Sequence, residues 1–223
     1  MSHPLPVLSL LETRILGVLV EKQHTVPDSY PLTLNAITSG CNQKTSRDPV
    51  INASESEVQA AVDQLRQLSL VIESSGGRVM RYEHNIGRVL HLNGQSVALL
   101  TTLMLRGPQT PGELRIHSER IHKFADIGAL EGFLEDLATR ADGALVRELP
   151  RQPGARENRW VHLLSGEPVI ETSAAPAASS AGGDALTVSE VVALKANVAT
   201  LTEEVEQLKA TVARLCAELG VSP

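Results

Sequence analysis

The sequence predicts an α+β, mainly helical fold: two tandem winged-helix domains followed by a flexible linker and a C-terminal coiled-coil helix. Three observations predict it. One helix-and-hairpin plan is written twice, a stretch rich in Ala, Ser, Gly and Pro follows the second copy, and the tail carries an unbroken heptad seam.

The repeat is read from apolar spacing. Leu8, Leu11 and Ile15 fall three and four residues apart, as do Val97, Leu100 and Met104, so each set marks one buried helix face 89 residues from its counterpart. Val58, Val62 and Leu65 match Leu130, Leu134 and Leu137 at an offset of 72, and each run leads into a short apolar strand, 70–72 or 144–146. The first copy thus holds 17 more residues between its first and third helices, and the surplus is expected around Cys41 to Val50.

In the first copy, residues 1–88, Pro31 to Gly40 supplies a middle helix. Ser54 caps the third helix with Glu57 three residues on, and Gly76-Gly77 turns a hairpin. In the second, residues 89–168, Thr110-Pro111 opens the middle helix, Asp126 precedes the third, and 160–164 is the returning strand. Its hairpin is a loop longer and holds Arg147, Arg151, Arg156 and Arg159. Helix, helix, helix and hairpin is the order of a winged-helix domain.

Residues 169–186 contain almost nothing to bury and form a flexible linker. In the coil, 187–220, Val191, Leu194, Val198, Leu201, Val205, Leu208, Val212 and Leu215 alternate spacings of three and four. Val dominates the a positions and Leu fills the d positions, which favours a parallel two-stranded homodimer, with Glu190 meeting Lys195 and Glu204 meeting Lys209 across it. The alternative is one amphipathic helix folded back on its own chain.

With 42% hydrophobic residues, the 223-residue chain has the means to build cores. No apolar run approaches the roughly 20 residues of a membrane span, and the start lacks the pattern of a secretory signal, so the expected location is cytoplasmic, with no membrane partner. Cys41 and Cys216 are too far apart in sequence to suggest a CxxC site. The net charge of −6 resides mostly in the tail: residues 1–88 carry −1, 89–166 carry zero and 167–223 carry −5. The repeated part therefore has no global field to gather DNA.

Asn42, Gln43, Lys44 and Arg47 lie in the inserted segment, where donors can meet phosphates or a partner's carbonyls. The plainer reading pairs Arg47 with Asp48 and uses Asn42 and Gln43 to cap loop backbone. Arg151, Arg156 and Arg159 give the second wing a local positive charge suited to a DNA backbone, or simply to a solvated hairpin. Against DNA, the third helices carry Glu55, Glu57 and Asp63 in one copy and Glu131, Glu135 and Asp136 in the other. Catalytic motifs such as GxGxxG, a Walker loop, HExxH or GxSxG are absent, so neither a catalytic residue nor a cofactor is expected. His117 and His122 are five apart and point away from each other on a helix, so no metal site is expected. Cys41 reads as a packed thiol, and 2% aromatic residues leave little for base stacking.

The stretch LETRILGVLVEKQHTVPDSYPLTLNAITSGCNQKTSRDPV, with LRGPQTPGELRIHSERIHKF and LPRQPGARENRWVHLLSGE, resembles the YceH-like family of bacterial proteins. The resemblance spans roughly residues 8–168 and implies tandem winged-helix domains without implying an activity. Gly40 stands where that family usually has Ala, and Thr45-Ser46 where Ser-Asn is common. The expected function is non-enzymatic regulation through duplex DNA, mostly by phosphate contacts, and the rival is an adaptor that binds another protein with the same surfaces. Basic groups gathered on one face would favour DNA, and dominance of the acidic third helices would favour the adaptor.

Overall fold

A computed structural model describes residues 6–74, 79–151 and 154–168. The chain divides after Glu171 into two units, and the described residues all belong to the first. The Gly76-Gly77 turn, the linker and the coiled-coil seam lie outside the described residues. The fold is α+β, with seven α-helices and two small antiparallel sheets among the described residues. None of the described helices is long and apolar enough to cross a membrane.

In the first half, α1 (Leu10–Thr25) is followed by a 3-10 turn, β1 (Leu32–Thr33), α2 (Leu34–Cys41), α3 (Glu55–Gln67), β2 (Val71–Ser74) and β3 (Arg81–His84). The turn α4 (Ile86–Val89) joins it to α5 (Gly94–Arg106), α6 (Pro111–Ser118), α7 (Ile127–Ala138), β4 (Val146–Glu148) and β5 (Trp160–His162). β3 is the central strand of the first sheet, with Leu32 opposite Tyr82 on one side and Val71 opposite His84 on the other. The second half repeats the plan: β4 pairs with β5, and Gln109, just before α6, makes a two-bond bridge with Trp160 where β1 stands in the first half.

Local signals set the helix starts. Ser9, Ser54 and Thr110 each accept a hydrogen bond from the backbone of a glutamate three residues on, whose carboxylate reaches back to the cap, forming three capping boxes. Asp126 caps α7 through the Ala129 N–H. The apolar rows behave as their spacing predicts: Val58, Val62 and Leu65 of α3 and Leu130, Leu134 and Leu137 of α7 are all buried.

The first helices depart from the expectation of one buried face. Thr13–Val20 of α1 and Ser96–Leu105 of α5 are buried on every side. Each is covered by its own half on one side and by the other half on the rest, because α1 and α5 pack on one another. Gly17 allows the approach, since a Cβ there would lie 2.8 Å from Leu105 Cδ2.

Two other expectations are corrected. Leu8 precedes the cap of α1 and its N–H donates to Leu164 O of the second half, so it is not the counterpart of Val97 within α5. The extra residues are not confined to Cys41–Val50: α1 is three residues longer than α5, and the 3-10 turn and β1 lengthen its connection to α2.

Candidate functional site

The segment between α2 and α3 holds four of the residues singled out from sequence, and three of them are engaged inside the fold. Asn42 clasps the chain ahead of α3, its Nδ2 donating to Ala53 O and its Oδ1 accepting from Ala53 N, both at 2.8 Å. Arg47 is only 6% exposed. Its Nη2 donates to Glu21 Oε2 at 2.7 Å and to Gln43 Oε1 at 2.7 Å, Nη1 donates to Glu21 Oε1 at 3.2 Å, and Nε donates to Gly40 O. The pairing of Arg47 with Asp48 is thus replaced by a two-pronged one with a carboxylate of α1. Lys44 alone of the four projects into solvent.

Beside this pair lies a second buried cation. Arg14 is fully buried and donates to Cys41 O and Pro49 O, while its Nε has no partner among the described residues. Desolvation, and then the proximity of Arg47, hold its pKa below the ordinary value. Cys41 is fully buried, and burial pushes its thiol up to about 12, so it is neutral and unreactive at physiological pH.

The second hairpin divides its arginines between two places. Arg159 donates to Pro108 O and lies 3.5 Å from Glu113, in a hollow shared with Arg47, Asp48, Arg106 and His117. Arg151, whose Nε donates to Ala155 O, and Arg156 line a separate hollow of about 500 Å³ against α7. There they face Glu131, Glu135, Glu148 and Glu157, four carboxylates against two guanidiniums, with Ile127 and Trp160 as apolar walls. The candidate basic residues do not form one positive face.

The third helices remain acidic on their solvent sides. On α3, Glu55 and Glu57 are exposed, and Arg66 is held by Asp63 and by Glu73 at 2.7 Å. On α7, Glu131, Glu135 and Asp136 are exposed with no cation of the helix to balance them, and Ile127 at its start is 43% exposed.

A group that sequence reading missed lies between the halves. Lys22 of α1, Thr45 and Ser46 of the inserted segment, Arg106 of α5, and His117 and Arg120 at the end of α6 line a cleft of about 290 Å³. These residues come from four separate elements and have no common spacing, so only the packing of α1 on α5 reveals them. His117 Nδ1 lies 2.5 Å from Gln109 Oε1, and burial, then Arg106, keep its pKa below the ordinary value. His122 stands edge-on to Phe124, with ring centroids 4.8 Å apart. Among the described residues no group of three or more His, Cys, Asp or Glu is placed to hold a metal.

Residues 8–155 match the family described as "Protein of unknown function, DUF480". A UPF0502 protein of Dechloromonas aromatica (strain RCB) is 58% identical over 210 residues, covering 94% of this chain and 96% of that protein. UPF0502 proteins of Burkholderia orbicola (strain MC0-3) and Burkholderia cenocepacia (strain HI2424) are each 58% identical over 214 residues, or 96% of this chain and 90% of theirs. Alignments of that length cannot fit within residues 1–168, so the similarity extends into the tail.

Proposed function

We propose that this chain, which belongs to the DUF480 family, is a non-enzymatic tandem winged-helix protein that acts as an adaptor, binding another protein rather than reading DNA. The observation that carries this reading is the charge of the surfaces a winged-helix domain would lay on a duplex. The exposed side of α7 offers Glu131, Glu135 and Asp136, and the neighbouring hairpin contributes a hollow in which carboxylates outnumber guanidiniums four to two. Phosphates are repelled by such a surface. A partner that presents lysines or arginines around one apolar side chain suits it, because the carboxylates flank the exposed Ile127.

The heptad pattern of residues 187–220 supports a parallel homodimer, which would tether two heads to one stalk and raise avidity for a repeated target. Reversing the charge of α7 with Glu131→Lys and Glu135→Lys tests the adaptor reading: partner capture is lost while the fold persists, both side chains being exposed.

The second reading is binding to duplex DNA through the hairpin, favoured by the exposure of Arg151 and Arg156. It requires a salt-dependent affinity for duplex DNA that falls when both are replaced by Ala.

A further inference from the structure

We propose that the cleft between α1, the inserted segment, α5 and the end of α6 is a binding site for a small phosphate-bearing ligand, held by Lys22, Ser46, Arg106 and Arg120. The inference is independent of the adaptor reading and rests on an imbalance of charge in a built cavity.

Three cations, Lys22, Arg106 and Arg120, line the cleft, and its one carboxylate is Glu21. Glu21 is already occupied: both its oxygens accept from Arg47, which lies behind the wall, and Oε2 also lies 3.5 Å from Lys22 Nζ. Arg106 and Arg120 therefore have no carboxylate of their own among the described residues. Arg106 is half-buried, and its Nη2 donates to Ser46 Oγ at 2.7 Å, a neutral partner that gives it no direct ion pair. Desolvation holds its pKa below the ordinary value; Glu21 partly opposes that shift, and nearby Arg47 adds to it. The buried Arg14 adds another cation behind the inserted segment without a carboxylate of its own. In the adjoining hollow Glu113 is engaged by Arg159 and by the Thr110 cap, and Asp48 faces the turn at Gly107.

A phosphate can accept from cations and hydroxyls on several sides at once, whereas a carboxylate presents two oxygens in one plane. The lining residues come from four elements, and the Thr45 and Ser46 hydroxyls add neutral donors to the cations. Ser46 holds a left-handed φ of 60°, uncommon for a residue other than glycine, in the segment that carries this wall. The cavity volume of about 290 Å³ admits a phosphate and a small organic group but no extended polymer.

The test uses the full chain and inorganic phosphate as the probe. Thermal midpoints are followed while phosphate replaces chloride at constant ionic strength, for the wild type, Arg120→Gln and Arg106→Gln. Phosphate also stabilises proteins generally by exclusion from their surfaces, so the signal is a saturable rise. The expected result is saturation in the wild type, with half-saturation shifted at least about tenfold in both variants, and no comparable rise with acetate. Arg120 is exposed and its replacement preserves the fold, so this variant decides the matter if Arg106→Gln is unstable. A rise that never saturates, one that survives unchanged in Arg120→Gln, or an equal rise with acetate would overturn the assignment. Failure of the wild type to capture any protein partner, with saturable phosphate binding intact, would count against the adaptor reading alone.

Discussion

Arg47 grips Glu21 with both ends of its guanidinium, at 2.7 and 3.2 Å, and thereby ties the segment between α2 and α3 to the last turns of α1. Arg47 has a side chain with no solvent exposure and Glu21 one with 18%, so the pair is a clamp more than a surface contact. Replacing Arg47 by Ala leaves a half-buried carboxylate and unpaired Gly40 and Gln43 acceptors, at an expected cost of about 2–4 kcal/mol. Lys44→Ala, by contrast, changes stability by less than about 0.5 kcal/mol. Urea unfolding of the two variants checks the contrast, and a Glu21→Gln partner in a double-mutant cycle isolates the coupling.

The packing of the two halves gives a second prediction. Gly17→Val puts a branched side chain where even a Cβ meets Leu105 Cδ2 at 2.8 Å and Cγ at 2.9 Å. Because Leu105 is itself buried, overpacking is expected to lower stability by about 2–3 kcal/mol. Calorimetry checks it, and an unchanged unfolding midpoint would show that α1 and α5 do not pack this closely.

Mild acid should destabilise the fold. Burial depresses His162 from 6.5 to about 4, and burial followed by the nearby His24 depresses His84 to about 4. The Nδ1 of each is buried without a partner among the described residues. A histidine whose folded pKa lies below its unfolded value takes up its proton on unfolding, so its neutral form stabilises the fold above 6.5 and that contribution is lost as pH falls from 6.5 toward 4. At pH 5 the loss is at most about 2 kcal/mol for each. Glu21, held below its ordinary value by Arg47 against the cost of its burial, contributes in the same direction only below about 4.5, so pH 7 to 5 isolates the histidines. Denaturant midpoints across that range should fall for the wild type and fall less for His162→Phe.

The seam of the tail predicts the assembly. By sedimentation equilibrium the full chain should be dimeric and a chain ending at Gly166 monomeric. A full-length monomer would mean that the seam packs within its own chain.

Much of this architecture was legible in the sequence because caps and apolar spacing are local. The Ser54 box, the helix start at Thr110-Pro111 and the buried rows of α3 and α7 follow from residues within a few positions of one another, and each hairpin joins strands that are neighbours in the sequence. What was not legible depends on which element faces which. The Leu8 spacing imitates a helix face, yet that residue serves the second half. The apolar run of α5 reads as one stripe but is covered all round, because α1 completes its surroundings. Arg47 reads either as a contact cation of an insertion or as the partner of its neighbour Asp48, until Glu21, 26 residues earlier, is brought against it. The cleft shared by Lys22, Arg106 and Arg120 has no sequence signature, since its members meet only through the packing of the halves.

Binding to a protein rather than to DNA is tested most directly by capture from nuclease-treated native lysate, with wild type and the Glu131→Lys, Glu135→Lys variant side by side. A defined protein partner that survives nuclease and is lost with the charge reversal is the predicted result. Capture that disappears with nuclease, together with salt-dependent binding of purified wild type to duplex DNA, would contradict it.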